Sequence, residues 1–379
     1  MSARFTLGIE EEFQLVDRYT GQLCSHIQTI LEKGASIFGD KIKPEMLQST
    51  VEVVTDVCPN ITAARMELQQ LRAMLLNVVE EEGLTLISAG THPSGSWHDQ
   101  VSMPNERYAE LEEELQDIAR SILIFGLHVH VGVESNEIAA ALINQLRTWI
   151  PHLLALSANS PFWSGRFTGI KSYRSVVWRP FPRSGVPEIF SSYAEYEGYV
   201  QALISAGIID NAKKIWWDIR PHPFFRTVEF RVFDMPGTIE DSVALAALCQ
   251  ALVAKLTWLY KRGLSVHVLP RYFVDENKWR AMRYGLDAEI VDFVQGHRVP
   301  MRDALHNLLD FVDDVLDDLG SRREISYLRR LIDDPRGTGA DRQIAIYRQT
   351  GSIHAVTRYL MAQTVQGLQV DSAEQTLAS

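Results

Sequence analysis

A regular alternation of apolar and polar residues near the N-terminus predicts a β-strand with two chemically different faces. In the stretch TLGIEEEFQLV, Thr6 to Val16, Glu10 and Glu12 lie on the polar face, one strand repeat apart. Glu11 alone breaks the opposite, apolar face. Because two like charges on one face repel each other, we expect the fold to supply a cation between Glu10 and Glu12.

Three later segments are typical of strands as well. In GLHVHVG, valine and leucine alternate with His128 and His130, and in TVEFRVFD, apolar residues alternate with Glu229 and Arg231. The segment EMLQSTVEVVTDV is strand-like and contains two further glutamates, Glu45 and Glu52. Each pattern predicts an apolar face for the core and an open face that carries ligand-type side chains.

The order of the elements predicts the fold class. Strands that are mostly not consecutive, with helices between and after them, indicate an α+β fold in which helices cover one face of an antiparallel sheet. We expect one catalytic domain over residues 1–368 and a disordered tail over 369–379. The most apolar segment, Val243 to Tyr260, is interrupted by Gln250 and Lys255, which favours a buried helix over a membrane span.

Composition excludes several classes of protein. The chain has 379 residues and a formal net charge of -11, which argues against a general nucleic-acid binder and against adhesion to anionic membranes. Three scattered cysteines, Cys24, Cys58 and Cys249, fit a reducing compartment and exclude a cysteine-based zinc site. The first strand begins within a few residues of the N-terminus, which leaves no room for a signal peptide. We therefore expect a cytoplasmic protein.

A segment from Pro161 to Pro187 reverses the overall sign of charge. It is rich in proline and glycine, which predicts a long loop, and all of its charged residues up to Pro187 are basic: Arg166, Lys171, Arg174, Arg179 and Arg183. We predict a flexible lid that binds phosphate, with Arg174 and Arg179 as candidate contacts. The same charges could instead serve an interface in a homo-oligomer.

Each motif also has a simpler explanation when it is taken alone. Three glutamates could form a solvated strand face, the two histidines could form ordinary hydrogen bonds, and EFR could be an exposed cross-strand ion pair. These explanations do not account for several strands that all place ligand-type side chains on one face. A set rich in carboxylates favours Mg²⁺ or Mn²⁺ over zinc, and basic side chains nearby suit a nucleoside triphosphate.

Five motifs in order along the chain resemble the glutamate-cysteine ligase type 2 family of carboxylate-amine ligases. They are GIEEEF, PEMLQSTVEVVT, GLHVHVG, TVEFRVFD and GTGADRQ, and they span nearly the whole sequence. The resemblance implies a glutamine synthetase-like fold, a curved antiparallel sheet whose open face holds divalent metals and ATP. It also implies ATP-dependent amide formation through an acyl phosphate, with glutamate and cysteine or another amine as substrates.

The resemblance further implies roles for single residues. Glu10, His128 and Glu229 correspond to ligands of one metal, and Glu12, Glu45 and Glu52 to ligands of a metal that bridges the nucleotide phosphates. His130 corresponds to a phosphate contact, and Arg231 to the arginine that meets the substrate carboxylate or the transferred phosphoryl group. Glu45 and Glu52 are seven residues apart, which would place them on opposite faces of a regular strand. Glu45 therefore lies in the turn after Pro44, lies across a bulge, or is not a ligand.

Two other functions fit the same residues. A guanidino kinase-like phosphotransferase also passes phosphoryl groups across an acidic face, although the carboxylate pair opposite His128 and Glu229 favours a ligase. A catalytically silent metal- or nucleotide-binding protein on the same scaffold is the third hypothesis. The sequence identifies neither the base that would deprotonate the amine nor a pocket for a thiol.

Overall fold

A computed structural model describes residues 5–368 of the chain, and the tail predicted over 369–379 lies outside these residues. The strands are β1 Leu7–Asp17, β2 Ile42–Pro44, β3 Thr50–Val54, β4 Leu84–Ile87, β5 Gly126–Gly132, β6 Phe162–Trp163, β7 Arg166–Phe167, β8 Ser184–Gly185, β9 Trp216–Trp217, β10 Ile219–Pro221, β11 Thr227–Asp234, β12 Glu289–Asp292 and β13 His297–Pro300. The helices are α1 Ile27–Phe38, α2 Ile61–Glu81, α3 Glu106–Leu115, α4 Asp117–Arg120, α5 Asn136–Leu146, α6 Ile150–Ser157, α7 Tyr173–Trp178, α8 Tyr193–Ser205, α9 Ile239–Tyr260, α10 Arg271–Tyr284, α11 Met301–Phe311, α12 Leu316–Leu319, α13 Arg322–Asp333, α14 Gly339–Thr350 and α15 Ile353–Thr364.

The central feature is a seven-stranded sheet with the order β10-β11-β5-β1-β3-β2, in which β4 also pairs with β1. All of its strand pairs are antiparallel. The strand β11 contains a register shift between Phe230 and Phe233. The predicted α+β class with an antiparallel sheet is confirmed, and β12 and β13 add a hairpin to the C-terminal half, which was predicted to be mainly helical.

One face of the sheet carries the apolar positions that the alternation predicts. Side chains from β1, β3, β5 and β11 on this face are fully buried, including Ile9, Phe13, Val53, Val129 and Phe230. Helices α2, α5, α6 and α9 pack against the sheet. One continuous apolar cluster contains residues from β1 through to α13, and the single domain over residues 1–368 stays a prediction.

Helix α9 is the one helix in residues 5–368 that is long and apolar enough to cross a membrane. Most of its residues are buried inside the protein, including the polar Gln250, whose side-chain amide donates to the Phe5 carbonyl. The core helix of a globular protein meets the same criteria of length and composition. The sequence-based prediction of a buried helix is therefore confirmed, and a cytoplasmic location remains a prediction.

The segment from Pro161 to Pro187 differs from the flexible loop that was predicted. It contains the short strands β6, β7 and β8 and the helix α7, and its backbone is bonded to several neighbours. The Ser160 and Tyr173 backbones, for example, are joined at 3.0 Å, and the Lys171 amide donates to the Met282 carbonyl at 2.9 Å. The prediction of one long irregular loop is therefore wrong, whereas movement of the segment as a lid stays a prediction.

Candidate active site

The register of the sheet brings the predicted site residues together in rows on its open face. Glu12 of β1 lies opposite Glu52 of β3, and Glu10 lies opposite His128 of β5. On the other side of β5, His130 lies opposite Glu229 of β11. Side chains that are directly opposite in antiparallel strands are close enough to interact, so the open face forms one continuous ionisable surface.

Carboxylates gather into two groups of potential metal ligands on this surface. Atoms of Glu12, Glu45 and Glu52 lie within 4.8 Å of one another, and so do atoms of Glu10, Glu52 and His128. Glu52 belongs to both groups. Glu45 follows the last residue of β2, which resolves the spacing problem, because the turn after Pro44 lets it reach the same side as Glu52.

The environment of the first group disfavours negative charge. Burial and the charge of Glu45 raise the pKa of Glu12 to about 8. Burial, together with the charges of Glu10 and other nearby glutamates, raises the pKa of Glu52 well above its ordinary value, and burial also raises the pKa of Glu45. Carboxylates this close can all ionise only if a cation compensates them.

The two histidines share Glu10 as a partner but differ in character. His128 Nδ1 lies 2.9 Å from one Glu10 oxygen, and His130 Nε2 lies 3.2 Å from the other. Burial and the charge of Arg231 lower the pKa of His128 to about 4. Burial has the same effect on His130, but the hydrogen bond to Glu10 and the negative charges of Glu10 and Glu229 together outweigh it and raise the pKa of His130. His128 is therefore the neutral imidazole and His130 the better cation.

Neutral His128 has the form that a metal ligand requires. If Nδ1 carries the proton and donates to Glu10, then Nε2 carries the lone pair. Nε2 is buried, has no hydrogen-bond partner within residues 5–368, and lies 3.8 Å from a Glu12 oxygen. A carboxylate-rich donor set with one imidazole nitrogen fits a hard divalent cation such as Mg²⁺ or Mn²⁺.

Glu229 has contacts that differ from those predicted. Both of its oxygens accept hydrogen bonds from Arg220, at 2.7 and 3.2 Å, and one also accepts from Arg231. Burial opposes ionisation, but the two guanidinium groups outweigh it and hold the pKa of Glu229 well below its ordinary value. Among the described residues, neither group of potential metal ligands includes Glu229. A role for Glu229 as a ligand therefore remains a prediction and would require it to rearrange its arginine contacts.

Arg174 and Arg179 have different positions although both were predicted to contact phosphate. Arg174 is buried on α7, and its guanidinium lies against Gly126, where an added Cβ would be 2.5 Å from Nη2. Its Nη2 donates to the Arg231 carbonyl at 3.3 Å, whereas its buried Nε has no partner in the described part of the chain. Arg179, at the end of α7, is exposed and is not among the residues that line the cavity described next.

A cavity of about 530 Å³ opens above this face and has the size of a small-molecule site. Its floor includes the clustered glutamates, His128, Arg174 and Arg231. One wall is apolar and aromatic, with Trp178 and Phe181 stacked at 4.6 Å and Trp216 edge-on to Phe181 at 5.6 Å. An acidic and basic floor beside an aromatic wall suits a ligand that joins a phosphate chain to a planar apolar ring.

Several cavity residues were missed by the sequence interpretation. Arg220 could have been predicted from the sequence, because it alternates with the apolar Ile219 and lies opposite Glu229 in the short hairpin formed by β10 and β11. Lys43, opposite Glu52, could have been found in the same way. Arg107 and Tyr108, from the start of α3, carry no local pattern that predicts a site, because only long-range packing brings this helix to the cavity.

Solved structures share this fold. The glutamate–cysteine ligase of Francisella tularensis, solved in complex with AMP, superimposes with a TM-score of 0.70 at 14% sequence identity and covers 97% of this chain and 90% of its own. A bifunctional glutathione synthetase from Pasteurella multocida gives a TM-score of 0.68 at 16% identity, over 96% of this chain and 53% of its own. At these identities the likeness establishes the fold alone. The predicted glutamine synthetase-like fold is confirmed.

The sequence comparisons are more specific. The family model described as glutamate-cysteine ligase family 2 matches residues 6–359, and the chain belongs to this family. A relative from Solibacter usitatus, named "Putative glutamate--cysteine ligase 2", is 48% identical over 364 residues, which are 96% of this chain and 94% of the relative. A relative of the same name from Roseiflexus castenholzii is 49% identical over 366 residues, 97% of this chain and 96% of the relative. The predicted family is confirmed.

Proposed function

We propose that this protein is an ATP-dependent carboxylate–amine ligase that forms a γ-glutamyl amide from glutamate and cysteine or another amine. The observation that carries the proposal is the open face of the sheet, on which Glu12, Glu45 and Glu52 converge next to the buried Arg174 and the half-buried Arg231. Membership of the family and the names of the relatives support this reaction class. The AMP bound to the F. tularensis enzyme supports a nucleotide as the cosubstrate.

The donor set also supports a requirement for two or more divalent cations. Glu12, Glu45 and Glu52 would hold one cation, and Glu10 and His128 would contribute to another. When bound, Mg²⁺ or Mn²⁺ screens phosphate charge and stabilises the departing ADP. The raised pKa values of Glu12, Glu45 and Glu52 are consistent with a site whose charge balance includes such a cation.

In the first chemical step, a γ-carboxylate oxygen of glutamate attacks the γ-phosphorus of ATP. The new O–P bond forms as the bond to the ADP oxygen breaks, which gives γ-glutamyl phosphate and ADP. Arg231 is held in place by its hydrogen bond to Glu229 and offers positive charge to the transferred phosphoryl group. Arg174 offers its unpartnered Nε–H to the same phosphate chain.

In the second step, the nitrogen of the amine attacks the acyl carbon, and the bond from this carbon to the phosphate-bearing oxygen breaks. Phosphate leaves with that oxygen, the amine loses a proton, and the amide retains the other carboxylate oxygen. This step needs a deprotonated amine and partial exclusion of water. The aromatic wall formed by Trp178, Phe181 and Trp216 supports the second requirement.

A screen of ADP release tests the reaction class. Purified protein is incubated with ATP, Mg²⁺ or Mn²⁺, glutamate and a panel of amines that includes cysteine. We expect ADP to form only when glutamate and a competent amine are both present. ADP formation that needs a guanidino acceptor and no glutamate would favour a kinase instead, and ATP binding without turnover would favour a silent binding protein.

Isotopic labelling tests the intermediate. With the γ-carboxylate oxygens of glutamate labelled by ¹⁸O, inorganic phosphate should acquire one labelled oxygen for each amide formed, because the acyl phosphate passes that oxygen to phosphate. Unlabelled phosphate accompanied by amide would contradict an acyl phosphate even if the metal ligands are assigned correctly. A kinase would leave the phosphoryl group on its acceptor and release no phosphate.

A further inference from the structure

Arg174 reaches the cavity from a segment that is not part of the central sheet. Its guanidinium makes one hydrogen bond, to the Arg231 carbonyl at 3.3 Å, and has no ion pair among the salt bridges of residues 5–368. The side chain is nevertheless buried against Gly126. The position of the guanidinium must therefore come mainly from how the backbone of residues 158–174 is held.

Asp234, the last residue of β11, holds this backbone from the side of the sheet. It is fully buried, and its Oδ2 accepts from the Asn159 amide at 2.8 Å and from Ser160 Oγ at 2.6 Å. Its Oδ1 accepts from Ser172 Oγ at 2.7 Å. Ser160 Oγ in turn accepts from the Arg174 amide at 3.0 Å, so one hydroxyl connects the Asp234 carboxylate to the Arg174 backbone.

The start of α14 holds the same segment from the opposite side. Gln343 Nε2 donates to the Asn159 side-chain oxygen at 2.7 Å and to its carbonyl at 3.1 Å, and the Ala340 amide donates to the Ala158 carbonyl at 3.0 Å. A Cβ on Gly339 would lie 2.1 Å from Asn159 Oδ1, so this contact requires glycine. These residues belong to the motif GTGADRQ, to which the reaction itself gives no part.

We propose that Asp234 is a positioning residue for Arg174, acting with Gln343 as a bracket that holds residues 158–174 so that the arginine meets the phosphates of ATP. The proposal rests on the proposed function, because that function assigns Arg174 to phosphate. The bracket explains why a buried carboxylate without a place in the reaction collects three donors from one short segment. It also gives GTGADRQ a role in catalysis at a distance from the cavity.

The contacts of Asp234 favour this role over a purely structural one. All three hydrogen bonds of its carboxylate go to the segment that carries Arg174. Its charge also acts on the Arg174 guanidinium. A Cβ on Gly90 would lie 2.7 Å from Asp234 Cγ, so the carboxylate packs closely against the Gly90 backbone.

Calorimetric titration with ATP and Mg²⁺, in the absence of glutamate, tests the proposal without relying on turnover. The proteins compared are the wild type, Asp234→Asn, Arg174→Ala and the double variant. We expect each single substitution to raise the Kd for ATP at least tenfold, and the double variant to bind no more weakly than Arg174→Ala. Non-additivity of this kind is expected only if Asp234 acts through Arg174.

Controls separate positioning from general destabilisation. Gln250→Ala removes a buried side chain of α9 and its hydrogen bond to the Phe5 carbonyl, at 2.7 Å, outside residues 158–174, and should lower the melting temperature while leaving the Kd for ATP unchanged. If Asp234→Asn does not fold, Ser172→Ala removes one of the three donors to Asp234, together with the contact between Ser172 Oγ and Ser175 Oγ, and should raise the Kd by a smaller factor.

Each outcome decides one hypothesis. If Arg174→Ala weakens ATP binding while Asp234→Asn and Ser172→Ala do not, the proposed bracket is wrong. Additive effects in the double variant would also overturn it, as would an Arg174→Ala variant that binds ATP like the wild type. A wild-type protein that does not bind ATP would instead overturn the proposed function, and the inference with it.

Discussion

Glu11, the residue that breaks the apolar face of the first strand, gives the most decisive test of how this fold is stabilised. Its carboxylate is fully buried and accepts from Arg72 of α2 through two hydrogen bonds, at 2.7 and 2.6 Å. Arg72 also donates to Ser242 Oγ at 3.1 Å, and its guanidinium lies 5.1 Å from the centre of the Phe13 ring. The pair thus joins β1, α2 and α9 inside the core.

The magnitude follows from what each substitution leaves behind. Arg72→Met leaves a buried carboxylate without its two charged donors, which should cost about 3–5 kcal/mol of unfolding free energy. Hydrogen bonds to charged groups contribute about 1.5–3 kcal/mol each, which gives the same order. Glu11→Leu leaves the guanidinium unpaired at a similar cost. The double variant removes both charges and should lie within about 2 kcal/mol of the wild type, because apolar side chains of similar size can replace a buried pair.

Urea unfolding of the four proteins, followed by far-UV circular dichroism and by tryptophan fluorescence, measures the coupling between the two residues. The exposed pair Glu289–Arg298, at 3.4 Å, supplies a control, since Glu289→Gln should change stability by less than about 1 kcal/mol. A loss below about 1 kcal/mol for Arg72→Met would refute the reasoning. So would additive losses in the double variant, because they would show that the two residues act independently.

Three further predictions concern pH, metal and the phosphate site. Burial lowers the pKa of His92 to about 4, so the contribution of His92 to stability should be constant above pH 6.5 and fall by about 1.4 kcal/mol per pH unit from 6.5 towards 4, because only the unfolded state binds the proton. The wild type should therefore lose stability more steeply than a His92→Gln variant in urea titrations over this range, and equal slopes would contradict this. Glu52→Gln changes the carboxylate shared by both ligand groups, so it should abolish ADP release and the rise in melting temperature that Mn²⁺ causes. In EDTA the variant should melt no lower than the wild type, because the substitution relieves like-charge repulsion. Gly126→Ala should displace the guanidinium of Arg174 and raise the KM for ATP about tenfold, which corresponds to the loss of one charge-assisted contact. In an Arg174→Ala background the space is vacant, so the same substitution should have no further effect; an additive effect in steady-state kinetics would show that the glycine acts elsewhere.

The sequence predicts the faces of the strands well because side-chain direction in a strand depends on local alternation alone. Glu10, Glu12, Glu52, His128 and Glu229 all lie on the predicted open face. Alternation does not determine which residues become opposite neighbours, because register depends on strands that are distant in the chain. The pairing of Glu12 with Glu52 was therefore available only from the structure, which also selects the turn after Pro44 from the three alternatives that the sequence left open for Glu45.

Long-range packing also explains what sequence interpretation missed or misjudged. Arg72 is 61 residues from Glu11 and belongs to a helix with no sign of a buried charge in its pattern. The segment around Arg174 was predicted to be mobile because proline and glycine are common in loops. Its order comes instead from Asp234 and Gln343, which are 74 and 184 residues from the partners Ser160 and Asn159 that they bind.

The charges around the sheet explain why β1 carries three consecutive glutamates, Glu10, Glu11 and Glu12. Glu11 points to the other face and is neutralised by Arg72, so it adds nothing to the cavity. In the cavity, Glu229 is compensated by Arg220 and Arg231, and Glu10 by His130. Three carboxylates then remain, Glu12, Glu45 and Glu52, with Arg174 as their buried counter-charge. A divalent cation would let these three carboxylates ionise together, and it would also offset the charge of the phosphates of a bound nucleotide. We therefore expect the open face to bind metal and nucleotide together more tightly than either alone.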